Sequence, residues 1–465
     1  MKKKQAGTPA GKKIILFVST MGPNAKSRSY LCPDGQTVDG VQTNEAPVKY
    51  LLRKYNQEIT GILCIVSEAA GKPVKEQTYS SLQHFEHEVE RFCAENGLNY
   101  PGSEKIDFPQ DSGESAEATI AREVSRKLKP GEEIILETTG GFRNSIMLLL
   151  LLSRMLSYTG HPTACAVYSF FDQTNKGNDQ VFDVSDLAGM FDLIGGMQEL
   201  SSFGNVRTLR KYYEARPHDI KIDTLLKAVK TLLDTITLCR TRQLDAAMKR
   251  FNSAMEAAET CGDPLLPQLL PAFRRKYGNK MTLPGLIRWC VESDMIQQAL
   301  TIYKENIPKY LLDRGDVLEV KAHAPKQDYQ SQEEADFRDF AENVFYKSAL
   351  QGYHEESVFS GYRIPNGTNV KALSRVVLDY NYILMLRNMT NHASDKVGER
   401  KENRARQLNK YSDRYKLPDE TTAEDVKQAI LQGLENMKPE RMKQTCVSFS
   451  GKKKRLCGRS SERGK

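Results

Sequence analysis

The hydrophobic pattern changes period once along this chain, and that change limits what it can fold into. Through the first two hundred residues, short runs rich in aliphatic and β-branched side chains alternate with amphipathic stretches. That order builds a parallel sheet covered by helices. Strands are predicted at 13–18 (KIILFV), 59–66 (ITGILCIV), 105–108, 133–137 (EIILE) and 163–168 (TACAVY), with helices near 46–55, 77–96, 114–128 and 142–158. Several of these strands are near-continuous apolar runs, as strands buried on both faces are. A Rossmann-like α/β domain over residues 13–200 is expected. Ligands of such sheets sit outside the carboxyl ends of the strands, which directs attention to the segments after Val18, Val66 and Glu137.

Beyond about residue 200 the strand signals fade. Helices are predicted at 222–241, 244–260, 284–305, 335–350, 370–389 and 422–434, with breakers such as Asn366-Gly367 and Leu417-Pro418 between them. An all-α second domain over 201–437 follows, and 465 residues are more than one hydrophobic core usually serves. Residues 1–12 and 438–465 read as basic tails, either solvated or weakly attracted to RNA phosphates. Two polar stretches, 321–334 and 351–368, either flank a site or merely connect helices.

Composition excludes several classes. The longest apolar run, Ile146 to Leu152, is too short for a bilayer, so no membrane partner is expected. Residues 1–13 carry five lysines but lack the apolar core and cleavage site of a secretory leader, and cytoplasmic residence is expected. Nine cysteines stand singly with no CxxC pair, which argues against both disulfides and a zinc site.

The strand at 133–137 runs into Thr138-Thr139-Gly140-Gly141-Phe142-Arg143-Asn144 and then an apolar helix. Glycines permit close backbone approach, hydroxyls and free helix N–H groups bind phosphate oxygens, and Arg143 adds a planar cationic donor. Neither GxxxxGK[ST] nor GxGxxG is present. The first strand empties into Ser19-Thr20-Met21-Gly22-Pro23-Asn24, a second small, hydroxyl-rich turn expected at the same edge. Taken alone, each loop is equally a plain glycine-bearing turn.

Strand, TTGG-F-R-N and apolar helix together resemble the signature loop of CARF domains, which sense cyclic oligoadenylates in type III CRISPR immunity; the likeness covers residues 12–200. The resemblance implies paired domains with the ring lying across both copies. The contacts it implies here are Ser19, Thr20 and Met21 with Thr139, Gly140, Gly141, Phe142, Arg143 and Asn144. The Ser67-Glu68-Ala69 segment is a further candidate wall by its position after a strand.

The second half contains Arg387-Asn388-Met389-Thr390-Asn391-His392. With 7 histidines, chance supplies roughly half an arginine five residues before some histidine per chain of this composition, so the spacing alone decides nothing. The asparagine after Arg387, the asparagine before His392 and the position in a helical domain behind a sensor-like one make the segment resemble the RN-xx-NH form of the HEPN ribonuclease motif. The resemblance implies a metal-independent endoribonuclease activated by cyclic tetra- or hexa-adenylate, with no cofactor. RNA cleaved by its own 2′-hydroxyl needs proton transfer near neutrality and a cation on the phosphorane. His392 suits the first and Arg387 the second, with Asn388 and Asn391 orienting.

Five residues along a helix rotate by about 140°, so Arg387 and His392 do not share a face. Either a bend or a site shared by two protomers is implied, and a homodimer is expected. Single-stranded RNA is the expected substrate, and stable DNA binding is not expected. Two rivals remain open: a CARF-type regulator whose helical domain binds nucleic acid or a partner without catalysis, and a metal-dependent PD-(D/E)xK nuclease. Neither a helix-turn-helix nor an Asp…Glu-x-Lys series stands out after residue 200. His84 and His87 read as solvated helix residues and Trp289 as packing; Tyr380 and Tyr382 read as core, with a cleft wall as the alternative.

Overall fold

The computed structural model describes residues 11–108, 115–141, 145–172, 174, 178–317, 319–320, 362–392, 415 and 421–443. They divide after Ile194 into two compact units.

The first unit is built on five parallel strands, β1 (Lys12–Phe17), β4 (Ile59–Val66), β5 (Ser103–Asp107), β6 (Glu133–Glu137) and β7 (Thr163–Phe170), in the order β5-β4-β1-β6-β7. β1 is buried along its whole length, which explains its unbroken apolar run. Its first residue is Lys12, which lies inside the stretch predicted as a tail and is held by ion pairs to Glu58 and Glu133.

Three strands that the pattern did not reveal extend the sheet: β2 (Arg28–Leu31), β3 (Thr37–Gly40) and β8 (Gln180–Asp183). Each has four residues and a half-polar sequence, too short for alternation to be read. β8 runs antiparallel to β7, and β2 and β3 form a hairpin on the far edge, so the sheet is mixed but mostly parallel.

Helices cover both faces. On one side α1 (Glu45–Tyr55) and α3 (Ser81–Asn96) pack on Ile14, Leu16, Ile62 and Cys64. The short α2 (Glu68–Gly71) follows β4. On the other side α4 (Ala116–Lys127) and α5 (Ser145–Tyr158) pack on Ile15, Phe17, Leu63 and Leu136. This two-sided burial is the doubly covered sheet expected from the sequence.

The second unit is helical. It begins inside α6 (Ser185–Phe203) and continues with α7 (Arg207–Glu214), α8 (Ile220–Thr237), α9 (Leu244–Ala258), α10 (Leu266–Arg274), α11 (Leu283–Glu292) and α12 (Ile296–Arg314). After the two-residue strands β9 (Glu319–Val320) and β10 (Tyr362–Arg363) come α13 (Val370–His392), α14 (Ala423–Asn436) and α15 (Pro439–Met442). The single helix expected at 284–305 is two, because Asp294 adopts a left-handed backbone with φ 58° between α11 and α12. The helix predicted at 335–350 and the polar stretch 321–334 lie outside the described residues, as does most of 351–368.

The segment just past residue 438, expected to be tail, is folded through residue 443. Pro439 opens α15, Met442 is fully buried, and its carbonyl accepts from Asn369 N–H at 2.7 Å. Trp289 is core, donating through Nε1 to the Ser201 carbonyl at 3.1 Å. Tyr380 is core as well; its hydroxyl donates to the Lys304 carbonyl at 2.8 Å. The seven described cysteines are all free thiols.

Candidate functional site

β1 is the strand at which the sheet changes direction of growth. Its parallel neighbours are β4 on one side and β6 on the other, and the helices that follow lie on opposite faces. The loops leaving β1 and β6 therefore part at the carboxyl edge and open the crevice in which such folds take ligands.

The structure brings Ser19 and Gly140 together there. A Cβ on Gly140 would collide with the Phe17 carbonyl oxygen and crowd Ser19 Oγ, so only glycine fits. Gly141 has φ 92°, and a Cβ there would meet Ser145 and Phe17. Thr139 is half-buried, and its Oγ1 accepts from Ser169 N–H at 2.8 Å, so that hydroxyl already has one partner. Thr20 is exposed, and Met21 N–H donates to Ser81 Oγ at 3.0 Å, fastening the β1 loop to the first turn of α3. Phe142, Arg143 and Asn144 lie outside the described residues.

Sequence reasoning missed the group beneath these loops. Asn44 precedes α1 yet makes no side-chain cap; instead its Oδ1 accepts from Ser19 N–H at 2.6 Å and its Nδ2 donates to Glu137 Oε2. Glu137 Oε1 accepts from Thr139 N–H at 2.8 Å. Burial pushes the Glu137 carboxyl up to about 7, against donors from Thr139, Asn44 and Gly140 that favour its charged form. Thr43 Oγ1 shares a hydrogen bond with Ser19 Oγ at 2.8 Å, and Gln42 Nε2 donates to the Ser19 carbonyl. One sequence signal pointed this way, a glutamate closing the apolar strand EIILE.

The Ser67-Glu68-Ala69 segment is the start of α2, where Ser67 Oγ accepts from Ala70 N–H at 3.2 Å as an N-cap. His84 is not solvated as expected. Its Nε2 donates to the buried Glu45 carboxylate at 3.0 Å and its ring stacks on Tyr79, whereas His87 is exposed. Glu45 is held below the usual carboxylate range: His84, Lys49 and the Gln42 N–H outweigh its burial. Among the described residues no cluster of His, Cys, Asp or Glu could hold a metal ion.

In the second unit, α13 runs unbroken through Arg387, Asn388, Asn391 and His392. That continuity keeps residues 387 and 392 about 140° apart around the axis and about 7.5 Å apart along it. Arg387 is half-buried, and its buried Nε has no hydrogen-bond partner among the described residues. Asn388 is half-buried, and Thr390 Oγ1 turns inward to the carbonyls of Leu386 and Arg387 at 3.1 and 3.0 Å. The side chains of Asn391 and His392 lie outside the described residues. Eight residues before Arg387, buried Asp379 accepts from Tyr415 Oη at 3.0 Å and from Asn436 Nδ2 at 2.7 Å.

No protein-family model matches the chain, and no curated protein matches it. Among solved structures it is similar to Csm6 of Enterococcus italicus bound to cyclic hexa-2′-fluoro-hexa-dAMP, at 13% sequence identity and a TM-score of 0.37, covering 93% of this chain and 96% of that one. No helix of the described residues is long and apolar enough to cross a membrane.

Proposed function

We propose that this chain is a cyclic-oligoadenylate-activated, metal-independent endoribonuclease of the CARF–HEPN kind, cutting single-stranded RNA in type III CRISPR defence. The observation that carries the reading is the Arg387-Asn388…Asn391-His392 series on one unbroken helix, with the Arg387 Nε buried and, among the described residues, unmatched. A buried guanidinium donor without a partner costs stability unless a ligand anion meets it, and an RNA phosphate is such an anion.

In the proposed reaction the RNA 2′-hydroxyl loses its proton and its oxygen attacks the adjacent phosphorus. A pentavalent phosphorane forms, and the 5′-oxygen leaves with a proton. His392 transfers protons, Arg387 holds the phosphorane oxygens, and Asn388 and Asn391 orient the scissile phosphate. The products carry a 2′,3′-cyclic phosphate and a 5′-hydroxyl. Because α13 sets residues 387 and 392 on different sides, the working site draws on two protomers, and the enzyme is a homodimer.

The activator, a ring of four or six adenylates, is assigned to the edge where Ser19, Thr20 and Met21 meet Thr139, Gly140 and Gly141. Phe142, Arg143 and Asn144 continue that wall in sequence. Binding there must favour the cleaving state to activate it.

The test is cleavage of fluorescent single-stranded RNA in EDTA, with each ring offered separately, by the wild type and by His392→Ala and Arg387→Lys. Ring-dependent cleavage that both substitutions reduce at least about a hundredfold is the expected result. Cleavage that EDTA abolishes would point to a metal-dependent nuclease. Ring binding with no cleavage would make the chain a ligand-sensing regulator.

A further inference from the structure

We infer that Asn44 and Glu137 form a clamp that sets the spacing of the two ligand loops, making them the positioning residues of the proposed activator site. The inference rests on the assignment of that site above and goes beneath it, to residues that no ligand would touch.

Each loop begins with a backbone N–H that a buried side chain captures. Ser19 N–H is taken by Asn44 Oδ1 at 2.6 Å, and Thr139 N–H by Glu137 Oε1 at 2.8 Å. The two acceptors are joined to each other, since Asn44 Nδ2 donates to Glu137 Oε2. A continuous chain of hydrogen bonds thus runs from the β1 loop to the β6 loop: Ser19, Asn44, Glu137, Thr139. Both clamp side chains are fully buried. The glycine at position 140 closes the arrangement from above, because its bare Cα lets the β6 loop rest on the Phe17 carbonyl and on Asn44 Nδ2.

The chemistry suits these two side chains. Only a group with a donor and an acceptor in fixed opposition can bridge an N–H to a carboxylate, and the asparagine amide supplies both. Only an ionised carboxylate accepts on both oxygens without presenting a proton of its own. Glutamine at 137 would turn a donor toward either the Asn44 amide or the Thr139 N–H, breaking one link while keeping the volume. Buried networks of this kind hold one geometry when complete and loosen when any member is lost. The clamp therefore acts on affinity for the activator, through the loops, and not on the RNA chemistry.

The experiment uses the full-length protein as wild type, Glu137→Gln, Asn44→Ala and the double variant. Amide hydrogen exchange without any ligand comes first. Either single substitution is expected to raise exchange in both 19–21 and 139–141, segments that the clamp joins beside a second path through Thr43 and Ser169. Faster exchange confined to the loop next to the substituted residue would overturn the clamp. Exchange rising throughout the unit in Glu137→Gln is a folding defect, and Asn44→Ala then decides by the same criterion.

Titration of cyclic tetra-adenylate and cyclic hexa-adenylate follows, read as the half-maximal concentration for RNA cleavage and as the rate at saturation. Each single variant is expected to shift the half-maximal concentration upward about tenfold while the saturating rate holds. The double variant should be no worse than the weaker-binding single one, as coupled residues behave. Additive shifts, or a fall in the saturating rate alone, would refute a positioning role. If the wild type binds neither ring, the activator assignment fails, and hydrogen exchange still decides whether the clamp exists.

Discussion

Glu137 sits in an environment at odds with its chemistry. Its carboxyl titrates near 7 in the fold against 4.5 as the reference value, because burial raises it more than its donors lower it. A carboxyl that binds its proton more tightly when folded contributes stability that is complete below the unfolded pKa and is lost as pH rises through about 7. The loss is on the order of 2–3 kcal/mol across that window. Urea denaturation is expected to give the wild type a lower midpoint at pH 8 than at pH 5, with part of that slope absent in Glu137→Gln. Identical slopes in the two proteins would place the titration elsewhere. The energy has a use in the proposed clamp, since the ionised form is the one that accepts from Asn44 and Thr139 together.

Among the elements, α13 is fixed by what one of its buried polar residues holds. Asp379 receives the Tyr415 hydroxyl and the Asn436 amide, so one carboxylate joins α13, α14 and the segment that contains residue 415. α14 starts at a capping box between Thr422 and Asp425, and Gly433 lets it close on Tyr303 and Ile383, where a Cβ would collide. Asp379→Ala would remove the acceptor that two buried donors share, a loss of about 2–4 kcal/mol. Circular dichroism through a urea titration should register it as a lower midpoint, and a change under about 0.5 kcal/mol would mean the three groups are not a structural unit.

The same elements show what a sequence can reveal. β1, β4 and β6 were legible because burial on both faces writes a continuous apolar run. β2, β3 and β8 were not, since four residues at a sheet edge carry too little pattern. α6 was obscured by Gly195-Gly196, a pair that weakens helix propensity, yet Gly196 is what allows the backbone of Leu209 to approach. The two loops proposed to bind ligand announced themselves through glycines and hydroxyls after strands. Asn44 did not, because its partners stand 25 and 93 residues away and no local spacing encodes them.

For the molecule as a whole, the decisive feature is α5, apolar around almost its entire circumference in SIMLLLLLSRMLSY. Leu149, Leu152 and Leu156 fill the core of the first unit, while Met147 (67% exposed), Leu151 (66%) and Tyr158 (93%) form a stripe on the opposite side. Leu187, Phe191 and Ile194 of α6 are also exposed, and the Arg154–Asp192 ion pair ties the two helices together. A helix that is hydrophobic all round calls for cover on both sides, and an apolar surface of this breadth is where the proposed homodimer is expected to associate. A second copy related by a twofold axis would bury the stripe against itself, and the nuclease site proposed above needs such a copy. Light scattering of Met147→Glu/Leu151→Glu is therefore expected to show a monomer where the wild type is a dimer, since paired like charges at a twofold contact repel and lose their solvation. Ring-stimulated RNA cleavage should fall with the dimer, at least about a hundredfold, while fluorescence denaturation stays within about 1 kcal/mol of the wild type because both side chains face solvent in the protomer. A variant that remains dimeric would move the interface off α5. A monomeric variant that still cleaved at the wild-type rate would return Arg387 and His392 to a single chain, and α13 would then have to bend between them.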